Sequence, residues 1–293
     1  MNSGFIAIVG RPNVGKSTLM NKLIEEKVAI VSDKSGTTRD RIKGIVNKGE
    51  VQYVFMDTPG IHKPRHLLGE HMTNVDLDTL KGVDVIMFIL DGTQEISTGD
   101  EFVNNHVKAV NTPTVLIVNK IDKMTDEEIG EKLIEVKEKL GEFDKIITMS
   151  AEYGIGIHKI FDELKEYMTE EVWYYPDDMY TDISVNKMIR EIVREKLLFY
   201  TKDEIPHSLA IEIVNIENTD AIAKYDVNIY VERDSQKGII IGKDGRLLKK
   251  VGTEARVEIE NLLDKRVFLN LWVKVKKNWR KKKDLLKELG YDE

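Results

Sequence analysis

The chain has 293 residues, 41% hydrophobic and 32% charged, with a net charge of −7, the composition of a soluble globular protein with room for two domains. It has no cysteine, which excludes disulfides, thiolate metal sites and a cysteine nucleophile; no apolar run approaches the roughly 18 residues of a membrane span. Residues 1–179 carry 21 Lys and Arg against 31 Asp and Glu, while residues 180–293 carry 23 against 20, so the two halves are expected to meet different partners.

No signal-like segment precedes the first strand, and a cytoplasmic protein is the expectation. Phe5–Val9 is apolar and partly β-branched and predicts a buried strand. Gly10-Arg11-Pro12-Asn13-Val14-Gly15-Lys16-Ser17 follows, then Thr18 and a run to Ile24 with Leu19, Leu23 and Ile24 at helical spacing. The motif is G-x-x-x-x-G-K-[ST], set between strand and helix. There, backbone N–H groups and the positive end of the helix can surround a polyphosphate. Lys16 would reach the terminal phosphates and Ser17 would ligand Mg²⁺. Ser32–Asp40 reads as a polar loop. Strands are expected over Ile42–Val46 and Val51–Met56, the second ending in Asp57-Thr58-Pro59-Gly60. Asp57 stands where a second Mg²⁺ ligand is needed. His62–Glu70 looks loop-like, with a helix to about Leu80.

Val85–Leu90 predicts a buried strand ending at Asp91-Gly92, Thr98–Val110 a helix, and Pro113–Val118 a strand running into Asn119-Lys120-Ile121-Asp122. A charged amphipathic helix fits Asp126–Leu140, a strand Lys145–Met149, and a helix Ile157–Met168 after Ser150-Ala151-Glu152. Alternating strands and helices predict an α/β fold with a mostly parallel sheet. Its polar motifs fall at the carboxyl ends of strands, where such sheets bind ligands. A carboxylate at Asp122 can accept two parallel hydrogen bonds from guanine N1–H and its exocyclic amine, donors that adenine does not pair in this way. Asn119 would support the loop and the Lys120 stem would cover the ring. Ser150, Ala151 and Glu152 fit a backbone contact to the guanine carbonyl.

We divide the chain into residues 1–170, a linker at 171–182, and a second domain at 183–293. The linker holds Trp173-Tyr174-Tyr175, expected to seal an interface. The second domain reads as a helix over Val185–Phe199, strands over Ser208–Ile216 and Tyr225–Val231, a long helix over Arg246–Leu263 and a strand over Val267–Val275, an α-β-β-α-α-β order. Ile239, Ile240 and Ile241 lead into Gly242-Lys243-Asp244-Gly245. A G-x-x-G turn lets two backbones come close, as where KH domains clamp about four nucleotides. Arg246, Lys249 and Lys250 with Lys243 could pair with phosphates, and the isoleucines could line the groove for bases. A basic helical tail begins at Lys274, with seven Lys and Arg up to Lys283. It could contact RNA phosphates with Trp279 stacking, meet an anionic membrane surface, or be a solvated face with Trp279 packed on the domain.

The set G-R-P-N-V-G-K-S, G-T-T-R-D, D-T-P-G, N-K-I-D and S-A-E resembles the translation-factor-like branch of the Ras-like P-loop GTPases, and the second half resembles a type II KH domain. Together, over essentially the whole chain, they resemble the Era GTPase family. The resemblance implies a monomeric GTPase that uses GTP, GDP and Mg²⁺ and assists small ribosomal subunit assembly by binding the 3′ end of 16S rRNA. It also implies a cytoplasmic location, in part peripheral at the membrane; the alternative is a GTP-gated scaffold acting through protein partners there. It points to Thr38, with Thr37 as competitor, as the switch threonine that completes the Mg²⁺ shell, and to Lys16, Thr38, Gly60 and Ile61 as the catalytic set. Ile61 stands where many GTPases have a water-orienting Gln, which implies slow intrinsic hydrolysis. In such GTPases an Asn at the Asn13 position accompanies a bound K⁺.

Overall fold

The computed structural model describes residues 1–31, 42–58, 79–202 and 205–289. They fall into two compact units, the first ending at Ile183 and the second beginning at Ser184. The first unit is built on six strands, β1 (Asn2–Val9), β2 (Ile42–Lys48), β3 (Val51–Asp57), β4 (Val85–Asp91), β5 (Thr114–Asn119) and β6 (Lys145–Thr148). Their order is β2-β3-β1-β4-β5-β6. Only β2 runs antiparallel, against β3. Two residues join these strands, too few for a parallel crossover, and Gly49 at φ 62° makes the turn.

The inner strands are apolar on both faces because both faces are covered. In β4, Val85, Met87 and Ile89 belong to one core and Ile86, Phe88 and Leu90 to the other, the period-two alternation of a strand. The first core takes Leu19 and Leu23 from α1 (Lys16–Ile24) and Ile160 and Leu164 from α4 (Ile157–Leu164). The second takes Val103 and Val107 from α2 (Thr98–Ala109) and Val136 and Leu140 from α3 (Asp126–Leu140). Reciprocal caps, Ser97 with Asp100 and Thr125 with Glu128, start α2 and α3. A tighter turn over Lys165–Tyr167 replaces the last turn expected of α4.

The segment read as a linker is stitched along the first unit. Glu170, just before it, bridges Ser3, and Thr181 within it bridges Gly44. The fully buried Gln52 accepts the N–H groups of Tyr174 and Tyr175 at 2.9 and 3.0 Å, and the Tyr174 ring lies 4.9 Å from Phe5. A buried amide needs partners, and this segment's backbone supplies them.

The second unit comprises α5 (Val185–Tyr200), a one-turn helix Ile205–Ser208, β7 (Ala210–Asn218), β8 (Ile222–Val231), α6 (Asp234–Ile241), α7 (Arg246–Leu263), β9 (Arg266–Val275) and α8 (Lys283–Glu288). The sheet order is β7-β8-β9, antiparallel then parallel. The tail differs from the expectation of a basic helix. Lys274 ends β9, Trp279–Lys281 is a 3₁₀ turn, and only Lys283–Glu288 is α-helical. Trp279 is fully buried and its Nε1 donates to the Ser208 carbonyl at 2.9 Å. It anchors the tail in the core and is not available to stack on a base.

Candidate nucleotide and RNA sites

At the carboxyl end of β1 the chain turns through Gly10 at φ 154°, Asn13 at 67° and Gly15 at 104° before entering α1. A Cβ on Gly10 would stand 2.4 Å from the Ile89 carbonyl oxygen, and one on Gly15 would stand 2.3 Å from Asn119 Nδ2. The loop is thus pressed against β4 and the N-K-x-D loop, and only glycine fits. Gly15 caps α1 without a side-chain bond, which leaves the positive helix end facing the cradle. Lys16 is buried, with Nζ donating to the Gly10 and Arg11 carbonyls at 3.1 and 3.0 Å, so its ammonium sits inside the loop. Val14 is buried and Thr18 half-buried.

Ser17 Oγ donates to Asp57 Oδ2 at 2.7 Å. The pairing follows from register, since β3 runs parallel to β1 with Asp57 opposite Ile8. A hydroxyl and a buried carboxylate at one point are hard oxygen ligands, and they fit Mg²⁺, which asks the protein for few ligands and keeps several waters. Thr58 is structural here, its hydroxyl donating to the Ile8 carbonyl at 3.0 Å. Thr37, Thr38, Pro59, Gly60 and Ile61 lie outside the described residues.

Asn119 joins three loops. Its Nδ2 donates to the Val14 carbonyl at 2.8 Å, and its Oδ1 accepts the Ala151 N–H at 2.9 Å, both bonds buried. The phosphate loop and the Ser150–Glu152 loop are therefore held to one side chain. Ser150 and Ala151 are buried and Glu152 is exposed. Lys120, in the left-handed conformation at φ 71°, donates to the Asn13 carbonyl at 3.0 Å and to Asp91 Oδ2 at 2.6 Å. Burial pushes the Asp91 carboxyl up, but hydrogen bonds from Lys120 and Thr93 outweigh it and hold the group below its usual range. Asp122 is exposed at the start of a 3₁₀ turn, Ile121–Lys123, where its carboxylate can meet a base.

Arg11 turns toward α2. Its Nε donates to the buried Asp100 at 2.7 Å and its terminal nitrogen to Gln94 at 3.2 Å, so its contribution to the cradle is backbone. Asp91 and Asp100 are the supporting residues that sequence reading missed. Asp100 carried one signal, its place three residues after Ser97 in a capping box.

In the second unit, Gly242, Asp244 and Gly245 all have positive φ, 72°, 54° and 72°. A Cβ on Gly245 would meet nothing within 4 Å; the open side of the turn is where another backbone can approach. Lys243, Asp244, Arg246, Lys249 and Lys250 are exposed. Asp244 lies 3.5 Å from Arg246, and the Lys250 ammonium stands 4.4 Å over the Tyr200 ring. The isoleucines separate: Ile239 is exposed, Ile241 half-buried, and Ile240 fully buried. Ile240 secures α6 to the core and cannot line a groove. A groove of about 450 Å³ lies between α7 and β9, lined by Gly245, Leu248, Lys249, Gly252, Thr253, Arg256 and the β9 residues Leu269 to Trp272. The α7 members recur every three or four residues from Gly245, a helical stripe that spacing could have revealed.

A P-loop sheet with a guanine-type motif at its carboxyl edge, in one chain with an α-β-β-α-α-β unit carrying an open G-x-x-G turn, defines a P-loop GTPase with a KH-type nucleic-acid-binding unit. Residues 5–120 match the family described as 50S ribosome-binding GTPase and residues 204–280 match the KH domain. The chain is 60% identical to GTPase Era of Fusobacterium nucleatum over 100% of both chains. It resembles a crystal structure of an Aquifex aeolicus Era variant bound to GDP·AlF4⁻, at 39% identity and a TM-score of 0.95. It also resembles Era in complex with MgGDPNP and nucleotides 1506–1542 of 16S ribosomal RNA, at 38% and 0.96. Both solved structures are covered to 99%, as is this chain. The chain belongs to the Era GTPase family.

Proposed function

We propose that the first unit binds GTP and Mg²⁺ and converts GTP and water to GDP and phosphate. The second unit holds 16S rRNA near its 3′ end during small-subunit assembly. The observation that carries the reading is the Asn119 side chain, which joins the Val14 carbonyl to the Ala151 N–H and so makes the phosphate cradle and the base pocket one rigid piece. Asp122 reads the guanine edge, the Lys120 stem covers the ring, and Lys16 balances charge on the terminal phosphates. Ser17 and Asp57 would hold Mg²⁺, which when bound supplies positive charge against the phosphates. Thr38, Gly60 and Ile61 complete the catalytic set, and Asn13 offers a ligand for K⁺. If turnover is the same in K⁺ and Na⁺ buffers, the K⁺ role fails.

Lys243, Arg246, Lys249 and Lys250 pair with RNA phosphates around the Gly242–Gly245 turn. The RNA in the relative's complex is 16S, which directs the reading to the small subunit and away from the 50S subunit named for the broader family. RNA crosslinking in cells with sequencing, in GTP-analogue and GDP states, tests it. Enrichment of the 16S 3′ end is expected. Enrichment of another rRNA site would point to a different assembly step, and no enrichment to a scaffold that works through proteins at the membrane.

A further inference from the structure

β9 is the edge strand of the three-stranded sheet. Alternation puts Val267 and Val273 in the core and turns Arg266, Phe268, Asn270, Trp272 and Lys274 to the opposite face. Phe268 is 61% exposed and Trp272 45%. An aromatic ring buries 150–250 Å² when covered, so the fold forgoes appreciable burial at both, and on an edge, where exposed apolar groups invite unwanted pairing. Their partners across β8 are polar, Lys224 opposite Phe268 and Asn228 opposite Trp272. The rings stand four residues apart, roughly 13 Å along a strand, well beyond the 4.5–7 Å of an aromatic pair. They do not shelter each other, and each keeps a face for a flat partner.

We infer that this face of β9 is a second surface for single-stranded RNA, on which Phe268 and Trp272 each stack a base while Arg266 and Lys274 pair with phosphates. The inference rests on the RNA-binding reading above. Aromatic platforms flanked by cations are how proteins hold single strands without strict sequence preference. Of the two carboxylates on this face only Glu217 is paired with a cation, while Asp226 keeps its charge between two neutral amides, so the phosphate contacts fall to Arg266 and Lys274 at the two ends of the strand. Asp226 accepts from Asn270 at 2.7 Å and from Asn215 at 3.1 Å, and Glu217 accepts from Lys224 at 2.9 Å. The surface also continues the groove, because Asn270 and Trp272 line the groove as well. A turn that clamps about four nucleotides leaves the remainder of a longer strand to be held, and this face adjoins the groove through Asn270 and Trp272.

The test uses the full chain and two RNAs from the 3′ end of 16S rRNA, one of about 4 and one of about 16 nucleotides, the range of such sites. Phe268 lies outside the groove, so F268A should bind the short RNA as the unaltered protein does and the long one roughly tenfold or more weakly. W272A should also weaken the long RNA, and W272F, which keeps a flat ring, should restore most of it. Equal affinity of the F268A/W272A double variant for the long RNA would overturn the inference. So would an equal loss on both RNAs with F268A, which would mean a damaged groove, or a dimer of the unaltered protein that the double variant abolishes. If the unaltered protein binds neither RNA, the function proposed above falls and takes this inference with it.

Discussion

Asp91 supports the proposed nucleotide pocket through its ion pair with Lys120. It is 4% exposed, Oδ1 accepts the Thr93 N–H and hydroxyl at 3.1 and 2.7 Å, and Oδ2 holds Lys120. Fixed in this way, the Lys120 stem is placed before any base arrives. D91N keeps the shape and removes the charge. Hydrogen bonds to charged groups contribute about 1.5–3 kcal/mol, so D91N should weaken GTP and GDP alike by roughly tenfold or more and leave kcat nearly unchanged; fluorescent-nucleotide titration beside single-turnover rates checks this. Asp122 is a different case, because it is expected to touch the base. An amide there offers a donor where a carboxylate accepted two, which suits the C2 carbonyl of xanthine and not the amine of guanine. D122N should lose GTP by two orders of magnitude or more and gain XTP, read by competition between the two. Sequence reading pointed to Asp122 because its signal is local, four letters at a strand end. Asp91 reads in the sequence only as the end of a strand, since its partner lies 29 positions away and the two meet only once β4 and β5 pair.

At the scale of elements, legibility followed local chemistry. The helix expected over 126–140 runs over Asp126–Leu140 in the structure, because Thr125 and Glu128 write its start and Gly141 its end. The run 274–283 was misread because charge density says nothing about period. Its first residues continue the alternation of β9, and Trp279 belongs to the core. Glu135 on α3 shows an element pinning a loop. Its Oε1 accepts the Ile96 N–H and Lys139, each at 2.9 Å, and its Oε2 accepts Lys132, which also donates to the Gln94 carbonyl at 2.6 Å. Burial pushes this carboxyl up, but Lys132, Lys139 and the Ile96 N–H outweigh it and lower it from 4.5 to about 2. A carboxyl lowered on folding stabilises the fold above its unfolded pKa and loses that contribution as pH falls through the folded one. The unaltered protein should therefore lose at most about 3 kcal/mol from this group between pH 4.5 and about 2. E135Q should be less stable at neutral pH and flatter across that window. Urea midpoints at several pH values, with unchanged slopes, measure both.

For the whole molecule, the two units have their own sheets and meet in sequence at Ile183–Ser184. A GTPase and an RNA clamp in one chain act together only if some segment takes different arrangements in different nucleotide states. If it does, the coupling is a free energy and must be reciprocal. A GTP analogue that changes RNA affinity by some factor relative to GDP requires RNA to change the preference for analogue over GDP by the same factor; only an effect on the hydrolysis rate can be one-sided. Coupling energies of about 1–3 kcal/mol are usual, a factor of roughly 5–150, well within reach of titration. The expected outcome is RNA affinity that differs between the analogue and GDP states by a factor in that range, matched by the RNA-induced shift in nucleotide preference. K243E supplies the control. It should weaken RNA binding, leave nucleotide affinity measured without RNA unchanged, and reduce the RNA-induced shift at a fixed RNA concentration. Equal RNA affinity with analogue, with GDP and without nucleotide would mean that the two units are joined only by the chain.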